Sequence, residues 1–383
     1  MIAACSAVAA SAAPVPEPLP TYTQAYEPRT VDERGVWMQA DEYERVVRDS
    51  ALLVRDEPLT AYVKHVLCET VGAERCRSVR PYVIENPEFN AAMAPNGMLF
   101  VNTGLLLRMR DEAEFASVLG HEFAHFELRH GLEKLRQRRN AASAAAWIGV
   151  LGQISNTDTR DLRQSLVLSI PQFSREEETA ADLLSARYLA RSTYPASVAS
   201  EVWLNVVAED EARAIGRGLK PKRKLQAGYL DSHPPSAQRA VYLKAASDKY
   251  GAGGSALRAA EFRTMIKPHL SHLLDAQVRS NDFGGSTHVL EQLAAGAGWT
   301  GDLLFARAQL YRQRGAPRDL ETAAQFLHEA IDNGYANPVA HRELGLSLLR
   351  NGDRTGGRNE LAAYLKQMPN ADDRSMIEAM LQD

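Results

Sequence analysis

The strongest periodic pattern of hydrophobic and polar residues in this chain runs from Asp111 to His130. Its large apolar residues recur at steps of three or four positions, as on one face of an α-helix, at Phe115, Leu119, Phe123 and Phe126. Smaller apolar residues widen that face, so we predict a largely buried helix. Asp111 is suited to its N-cap, because an aspartate side chain accepts hydrogen bonds from the first backbone N–H groups of a helix.

Two short runs of β-favouring residues predict strands of a small sheet. They are residues 82–84 and 98–101, and the turn signals Asn86-Pro87 and Pro95-Asn96-Gly97 stand between them. We predict further helices over residues 59–71, 176–191 and 196–214. Residues 20–57 are polar and interrupted by prolines, and we assign no element to them.

Beyond Ile266 the pattern changes to pairs of amphipathic helices that recur with a spacing near the tetratricopeptide period of about 34 residues. The last unit shows the small, large and proline positions of that repeat at Leu344-Gly345, Leu348, Gly357, Leu361 and Pro369. The preceding unit has Leu310, Ala323, Leu327 and Ala330 in the same register, and an earlier unit over 270–293 is degenerate. We therefore predict a tetratricopeptide-like domain over 266–383 with a concave surface for a protein partner. A plain helical bundle is the alternative.

Charge and hydropathy disfavour two classes of protein. The 383 residues carry a formal net charge of −4, which gives no general attraction to nucleic acid. We interpret the basic run 217–224 as a solvated loop. No stretch reaches about 18 consecutive apolar residues, the length that a membrane-spanning helix requires, so we do not expect the chain to span a membrane.

Residues 1–30 are interpreted as the remnant of a secretory signal followed by a linker. The first 19 residues are rich in Ala, Ser and Pro and contain no Lys or Arg, as in the later part of a signal peptide. Ile2-Ala3-Ala4-Cys5 resembles a bacterial lipobox, which predicts a lipid anchor at Cys5; a disordered tail is the alternative. Cys68 and Cys76 would form a disulfide in an oxidising compartment and remain two buried thiols in a cytosolic protein. These features favour a periplasmic location.

The stretch His121-Glu122-Phe123-Ala124-His125 lies on the predicted buried helix and carries the candidate chemistry. Four residues advance an α-helix by about 400°, so His121 and His125 project from one face and can bind one zinc ion. Zinc lowers the pKa of a water molecule toward about 7, and Glu122 can take its proton. The spacing therefore predicts a metallopeptidase site, against the alternative of two hydrogen-bonded core histidines.

A catalytic zinc needs a third protein ligand and an open fourth position. We reject His130, because five residues past His125 on a continuous helix it points about 140° away; the later glycine and histidine of a metzincin are also absent. Glu178 and Asp182 share one helix face, so Glu178 can bind zinc while Asp182 accepts a hydrogen bond from a ligand histidine. The residues alone do not decide among the three acids of 176–178. A solvated helix N-terminus is the other interpretation of that acidic run.

Several stretches resemble the HtpX and CAAX-prenyl-protease family of gluzincin metallopeptidases, over about residues 59–245. They are Asn90-Ala91-Ala92, 97–101, 103–106, 114–120, 121–125 with Arg129-His130, 174–182, and His233-Pro234-Pro235-Ser236 with Arg239. The resemblance implies an α+β, predominantly helical, gluzincin-type metalloprotease domain with a small sheet, which we place at 31–255. It implies one Zn2+ per chain, bound by His121, His125 and Glu178, with Asp182 behind a ligand histidine.

The resemblance also implies that His233 and Arg239 lie near the metal. His233 either donates to the oxyanion of the tetrahedral intermediate or occupies the fourth zinc position and keeps the enzyme latent; a rigid loop made by two prolines is the alternative. We expect zinc to stabilise the oxyanion, with His233 or Arg239 assisting. The substrate is expected to pair with an open sheet edge formed by Met98, Leu99, Phe100 and Val101.

The lack of membrane helices departs from the HtpX and prenyl-protease branches. A chain with an export signal and a tetratricopeptide tail is more similar to the periplasmic BepA-like branch, which acts in outer-membrane protein quality control. We therefore expect a zinc-dependent endopeptidase that hydrolyses protein substrates in the bacterial cell envelope. The alternative is a latent or non-proteolytic chaperone or scaffold that acts through the repeats, and the intact Glu122 disfavours it.

Overall fold

The computed structural model describes residues 18–22, 24–134, 173–221 and 236–382, so Cys5 and His233 lie outside the described residues. The first helices are α1 (Val31–Asp49), α2 (Glu57–Val71), α3 (Ala73–Cys76), α4 (Thr103–Arg108), α5 (Glu112–Glu127), α6 (Arg175–Leu189), α7 (Val198–Gly216) and α8 (Ser236–Tyr250). They are followed by α9 (Ala259–Ile266), a 3-10 turn (Lys267–His269), α10 (Leu270–Arg279), α11 (Phe283–Ala297), α12 (Gly301–Arg314), α13 (Asp319–Asp332), α14 (Val339–Arg350), α15 (Arg354–Gln367) and α16 (Arg374–Gln382). None of these helices is long and apolar enough to cross a membrane.

Three short strands form the sheet, β1 (Arg80–Ile84), β2 (Ala91–Met93) and β3 (Met98–Asn102). β3 is the central strand, parallel to β1 and antiparallel to β2. The expected open edge at Met98, Leu99, Phe100 and Val101 is therefore wrong, because the backbone of β3 already pairs on both sides. The edge strand that packs against α5 is β2.

Helices α5 and α6 pack closely against each other at the centre of the largest hydrophobic cluster. α5 begins after Asp111, whose side chain accepts a hydrogen bond from the backbone N–H of Glu114 at 2.8 Å. Gly120 permits the close packing, since a Cβ at this position would lie 2.9 Å from the hydroxyl oxygen of Ser185 on α6. That hydroxyl donates to the carbonyl oxygen of Ser117 at 3.1 Å. These contacts fix how α6 lies along α5.

A buried cluster around Glu112 holds the first turn of α5. The carboxylate accepts hydrogen bonds from the hydroxyls of Tyr62 and Tyr194, each at 2.6 Å, and from Nη1 of Arg258 at 2.8 Å. The backbone N–H of Glu112 donates to the carbonyl oxygen of Leu257 at 3.1 Å. Residues 257–258, which lead into α9, therefore lie against the N-terminus of the helix that carries the predicted metal ligands.

Cys68 and Cys76 form a disulfide between α2 and the end of α3. The adjacent Arg75 contacts the other end of α5, with its Nε 3.0 Å from Oε2 of Glu127. Tyr188 of α6 donates to the same carboxylate oxygen at 2.9 Å. The disulfide therefore constrains a turn that contacts the C-terminus of α5.

A buried polar network joins α10 to the part of the chain that holds the sheet. Arg108 of α4 donates to both carboxylate oxygens of Glu209 on α7, each at 2.8 Å, and to Oε1 of Gln277 on α10 at 3.1 Å. All three side chains are buried. Helix α11 also packs along α7. The segment 270–297, which we interpreted as a degenerate repeat, thus lies directly against the preceding helices.

The outer part of the tail consists of two packed helix pairs, α12 with α13 and α14 with α15. The second pair begins about 35–38 residues after the first, close to the tetratricopeptide period of about 34. Gly345 and Gly357 bring α14 and α15 together, since a Cβ on either would lie 2.9 Å from the carbonyl oxygen of the other. Helix pairs are thus present over the predicted range, while their assignment as tetratricopeptide repeats stays a prediction.

Candidate metal centre

Three side chains from α5 and α6 converge on one point. Nε2 of His121 and Nε2 of His125 lie 3.1 Å apart, and the two oxygens of Glu178 lie 3.5 and 3.6 Å from these nitrogens. Ligand atoms at about 2.0–2.2 Å from a tetrahedral zinc ion are about 3.3–3.6 Å from one another; both nitrogen–oxygen separations fall in this range and the nitrogen–nitrogen separation is slightly shorter, so the arrangement is close to that of a zinc site. All three residues are buried. Two imidazoles and one carboxylate leave a fourth position open, as in catalytic zinc sites.

The capping of α6 decides which of the three consecutive acids can serve as a ligand. Ser174 is the N-cap, and its hydroxyl accepts from the backbone N–H of Glu177 while the Glu177 carboxylate accepts from the backbone N–H of Ser174. Glu177 is therefore used in a capping box. Glu176 is exposed, and Glu178 is 0% exposed and faces the histidines. Glu178 is thus the carboxylate that the local structure directs toward α5.

Asp182, one helical turn after Glu178, orients His121. Its Oδ1 lies 2.8 Å from Nδ1 of His121. An ionised carboxylate only accepts hydrogen bonds, so Nδ1 carries a proton, and Nε2 is the nitrogen that can bind a metal once it has lost its own proton. Burial and the charge of Arg239 act to lower the pKa of His121, but the carboxylates of Asp182 and Glu178 outweigh them and raise it to about 9. The two acids therefore favour positive charge at this point.

Arg239 of α8 is fully buried beside Asp182 and also approaches the ligand set, with Nη2 3.2 Å from Nδ1 of His121 and Nη1 3.7 Å from Oε2 of Glu178. Its Nε donates to Oδ2 at 2.8 Å and its Nη2 to Oδ1 at 2.5 Å, and the hydroxyl of Tyr242 also donates to Oδ2. Burial raises the pKa of Asp182, but the charges of Arg239 and His121 hold it well below its usual range. The side chain of Arg239 is 0% exposed and holds Asp182 in place; its expected assistance to the oxyanion stays a prediction.

His130 lies beside the ligand set and contacts His125. The two Nδ1 atoms are 2.9 Å apart. The continuous helix that we assumed is wrong here, because α5 ends at Glu127 and Arg129, with a φ of +61°, changes the chain direction. His130 therefore returns to the side of His125. Burial lowers the pKa of His130, so its neutral ring can accept the Nδ1 proton of His125 and direct Nε2 to the metal. Phe173 stacks on the His125 ring with centroids 4.0 Å apart.

A pocket opens beside the ligands. His121 and Glu122 line one side of it, and Asn90 and Ala91, where β2 begins, line another. Glu122 is buried next to His121. The predicted general base, a metal ligand and the edge strand therefore surround one cavity.

Three residues at the site were not predicted from the sequence. Tyr242 donates to Asp182, Phe173 stacks on His125, and Trp203 lies under the guanidinium of Arg239 at 3.6 Å from the ring centroid. Tyr242 follows Arg239 by three residues on one helix, and this spacing on a common face could have identified it. No local pattern points to Trp203 or Phe173, because their contacts are between distant segments.

Comparison with known proteins adds a family and several relatives. Residues 55–247 match peptidase family M48. The chain is 28% identical over 210 residues to the mitochondrial metalloendopeptidase OMA1 of Schizosaccharomyces pombe, an alignment that covers 53% of this chain and 58% of that protein. It is 30% identical over 167 residues to the beta-barrel assembly-enhancing protease of Yersinia pestis, with 40% and 34% covered, and 31% identical over 172 residues to metalloprotease LoiP of Escherichia coli, with 44% and 61% covered. The chain thus spans about a third to three fifths of the length of these relatives.

Proposed function

The chain belongs to peptidase family M48, a family of zinc metalloproteases, and from this premise we propose that it is an endopeptidase that hydrolyses peptide bonds of protein substrates. The observation that carries the proposal is the convergence of His121, His125 and Glu178 at separations close to those of tetrahedral zinc ligands. Glu122 beside them supplies the base that a purely structural zinc site would not need.

Zinc held by His121, His125 and Glu178 would polarise the scissile carbonyl and acidify a water molecule. Glu122 takes the proton of that water as it attacks the carbonyl carbon, and then donates it to the leaving amine. Asp182 keeps the proton of His121 on Nδ1, and Arg239 and Tyr242 hold Asp182 in place. The burial of the ligand set excludes bulk water and strengthens these electrostatic interactions.

We place the substrate backbone along β2. A peptide that adds to this edge satisfies its own backbone groups and lies next to Glu122, because β2 and Glu122 border the same pocket. His233 is proposed either to assist the oxyanion or to hold the fourth zinc position in a latent enzyme. His233→Ala distinguishes these roles, because peptide cleavage falls in the first case and rises in the second.

The test of the base is Glu122→Gln, which keeps the shape of the side chain and removes its ability to take a proton. We expect zinc content to stay unchanged and chelator-sensitive cleavage of a quenched fluorescent peptide to fall by about 10²–10⁴-fold. Glu176→Gln is the matched control, since Glu176 is exposed on α6 and should leave cleavage unchanged. Full activity of Glu122→Gln would refute the assigned base.

The biological setting is also proposed, on three supports. The N-terminal residues resemble a signal with a lipobox at Cys5, the chain has a disulfide at Cys68 and Cys76 that suits an oxidising compartment, and the Yersinia pestis relative is named for beta-barrel assembly. We therefore propose action on envelope proteins in the periplasm as part of quality control, with membrane anchoring through Cys5. Mass spectrometry of the mature N-terminus tests this anchor.

The helix pairs after residue 300 are proposed to form tetratricopeptide-like repeats that bind a protein partner and present clients to the cleft. Truncation before Gly301 tests this, because it retains α10 with Gln277 on Arg108 and the packing of α11 on α7. We expect cleavage of a short peptide to persist and cleavage of a folded envelope protein to decrease. Equal loss of both would contradict this division of roles. A chaperone without proteolysis is distinguished by the absence of any chelator-sensitive cleavage.

A further inference from the structure

Residues 18–22 and 24–30, which we call the N-terminal strap, lie across the C-terminal end of α5. We interpreted them from the sequence as part of a linker, and the proposed mechanism does not use them. In the structure Tyr22 packs against the largest hydrophobic cluster, and Nη2 of Arg75 donates to the carbonyl oxygen of Pro20 at 2.6 Å. The strap is therefore part of the protease fold.

Two aromatic rings of the strap contact α5 and the turn that follows it. The ring of Tyr22 lies against Phe123, which is next to Glu122 in sequence, with centroids 6.4 Å apart. The ring of Tyr26 lies under the guanidinium of Arg129, with the guanidinium carbon 4.3 Å from the ring centroid. Arg129 is the left-handed residue at which the chain changes direction after α5. The strap thus reaches the turn that positions the next residue, a histidine.

Tyr26 is itself fixed by helix α1. Its hydroxyl donates to Oε2 of Glu33 at 2.8 Å, and its ring packs against Trp37 with centroids 5.9 Å apart. Glu33 is 2% exposed, and the same carboxylate oxygen accepts from the backbone N–H of Thr30 at 3.1 Å. The capping box that starts α1 therefore also fixes the ring that contacts Arg129.

The backbone of Arg129 requires such a contact. Its φ of +61° lies in the left-handed region, which costs a residue with a Cβ about 5–30-fold in population. A cation over an aromatic ring contributes about 2–30-fold, depending on how far the cation is removed from water. Because the two magnitudes are comparable, the contact with Tyr26 offsets the cost of the turn. That turn places Nδ1 of His130 2.9 Å from Nδ1 of His125.

We propose that Tyr26 is a positioning residue of the metal centre: through Arg129 it holds the turn that keeps His130 against His125. Without the ring, the backbone of Arg129 returns to more common conformations, His130 moves away, and the Nδ1 proton of His125 loses its acceptor. The proposal rests on the proposed zinc site of the endopeptidase. It implies that the strap contributes to zinc affinity, although it is distant in sequence from the ligands.

The test uses the full chain and two measurements that do not require turnover. Competition with a fluorescent chelator measures zinc affinity. Proton NMR of the zinc-free protein with isotope-labelled histidine detects the Nδ1 proton that His125 shares with His130, and His130→Ala identifies this resonance by its loss. We expect Tyr26→Leu to remove the resonance and to lower zinc affinity by about 3–30-fold. Tyr26→Phe keeps an aromatic ring under Arg129, so the resonance should persist and zinc affinity should stay within about twofold.

Two substitutions of Arg129 separate the effect of its side chain from that of its backbone. Arg129→Ala removes the cation and keeps the cost of a left-handed residue, so it should lower zinc affinity as Tyr26→Leu does. Arg129→Gly removes the cation and the cost together, because glycine adopts positive φ about as readily as negative φ. Its zinc affinity should therefore stay within about twofold of the unmodified chain. In the Arg129→Gly background, Tyr26→Leu should have no further effect.

Tyr335→Leu is the matched control, because Tyr335 makes a comparable ring contact in the tail, stacked on Phe305 with centroids 4.4 Å apart. Both measurements should stay unchanged in this variant, and thermal melts of the zinc-free proteins show that each variant is folded.

An unchanged resonance in Tyr26→Leu overturns the proposal. An equally large loss in the Arg129→Gly background also overturns it, because the effect would then not pass through the turn at Arg129. If the unmodified chain bound no zinc, the proposed endopeptidase function would fail, while the resonance in the zinc-free variants would still decide the role of Tyr26.

Discussion

Asp182 connects His121, a proposed zinc ligand, to a buried arginine, and replacing Asp182 with Asn should affect both metal binding and folding. Its two oxygens accept from Arg239, Tyr242 and His121. The asparagine side chain has only one oxygen to accept from these three donors. Its NH2 group would face one of the remaining donors without forming a hydrogen bond. Loss of a hydrogen-bonded acid behind a ligand histidine typically costs 10–100-fold in metal affinity, which is about 1.4–2.7 kcal/mol.

The effect of Asp182→Asn on folding comes from Arg239. This guanidinium is 0% exposed, and removing one partner of a buried ion pair costs about 3–5 kcal/mol. We therefore expect the free energy of unfolding of the zinc-free protein to fall by about that amount. Denaturant titrations of the zinc-free protein measure this effect, and competition with a fluorescent chelator at neutral pH measures zinc affinity.

Ser185→Ala is the matched control, since Ser185 is buried on the same helix and bonds only to a backbone carbonyl outside the ligand set. It should cost about 0.5–1.5 kcal/mol of stability and leave zinc affinity unchanged. If Asp182→Asn bound zinc within twofold of the unmodified chain, Asp182 would not orient His121. If zinc-free Asp182→Asn and the zinc-free unmodified chain had equal free energies of unfolding, the charge of Arg239 would be compensated by another group.

Glu44 is buried, and although burial opposes its ionisation, hydrogen bonds from Arg80 and a tyrosine lower its pKa from 4.5 to about 2. The ionised carboxylate therefore stabilises the fold above pH 4.5, and this contribution is lost as the pH falls toward 2. Glu44→Gln should lower the unfolding free energy by about 2–3 kcal/mol at pH 7, and acid titrations should show that this difference from the unmodified chain disappears near pH 2. Glu209→Gln leaves the buried Arg108 without its ionised partner and should lower the free energy of unfolding by about 3–5 kcal/mol. Hydrogen exchange should be faster in α7 and α10, and unchanged exchange in these helices would exclude a structural role for the Arg108–Glu209 pair. Zinc at 100 times its dissociation constant should stabilise the fold by about 2.7 kcal/mol and raise the melting temperature, and a chelator should abolish this rise. In Glu178→Ala the rise should be small; a full rise in that variant would remove Glu178 from the ligand set.

The catalytic helix shows what a local pattern predicts well. Its apolar spacing and the Asp111 cap placed its start correctly, because both depend on neighbouring residues alone. Its end was placed too late, since the helix stops at Glu127 and the left-handed Arg129 follows. No residue of helix-breaking type marks this point. The helix ends where the following segment turns back so that His130 packs against His125. This packing cannot be deduced from the spacing of apolar residues.

The choice among the acids 176–178 could have been narrowed from the sequence. Ser174 and Glu177 form the S-x-x-E pattern of a capping box, which reserves Glu177 for the helix N-terminus. The capping box therefore leaves Glu176 and Glu178 without any resemblance to a family, and only the fold, in which Glu176 is exposed and Glu178 is buried, distinguishes these two.

Other features depended on tertiary contacts. β2 consists of two alanines and a methionine, which have little intrinsic strand preference, and it forms by pairing with β3. Helix α1 lies in a polar segment, where the capping box of Thr30 and Glu33 was the available signal. Trp203 contacts Arg239 and Phe89. These three residues lie on segments distant in sequence, so no local sequence pattern predicts the contacts.

The attachment of residues 257–258 to the first turn of α5 affects how the molecule can be divided. A fragment that stops at residue 255, the predicted end of the protease domain, would leave the Glu112 carboxylate without Arg258 and its backbone N–H without the Leu257 carbonyl. Activity measured on such a fragment would reflect a loosened catalytic helix as well as a missing tail. The same attachment couples α9 to the first turn of α5, so a displacement of α9 would also displace the start of the helix that carries His121 and His125.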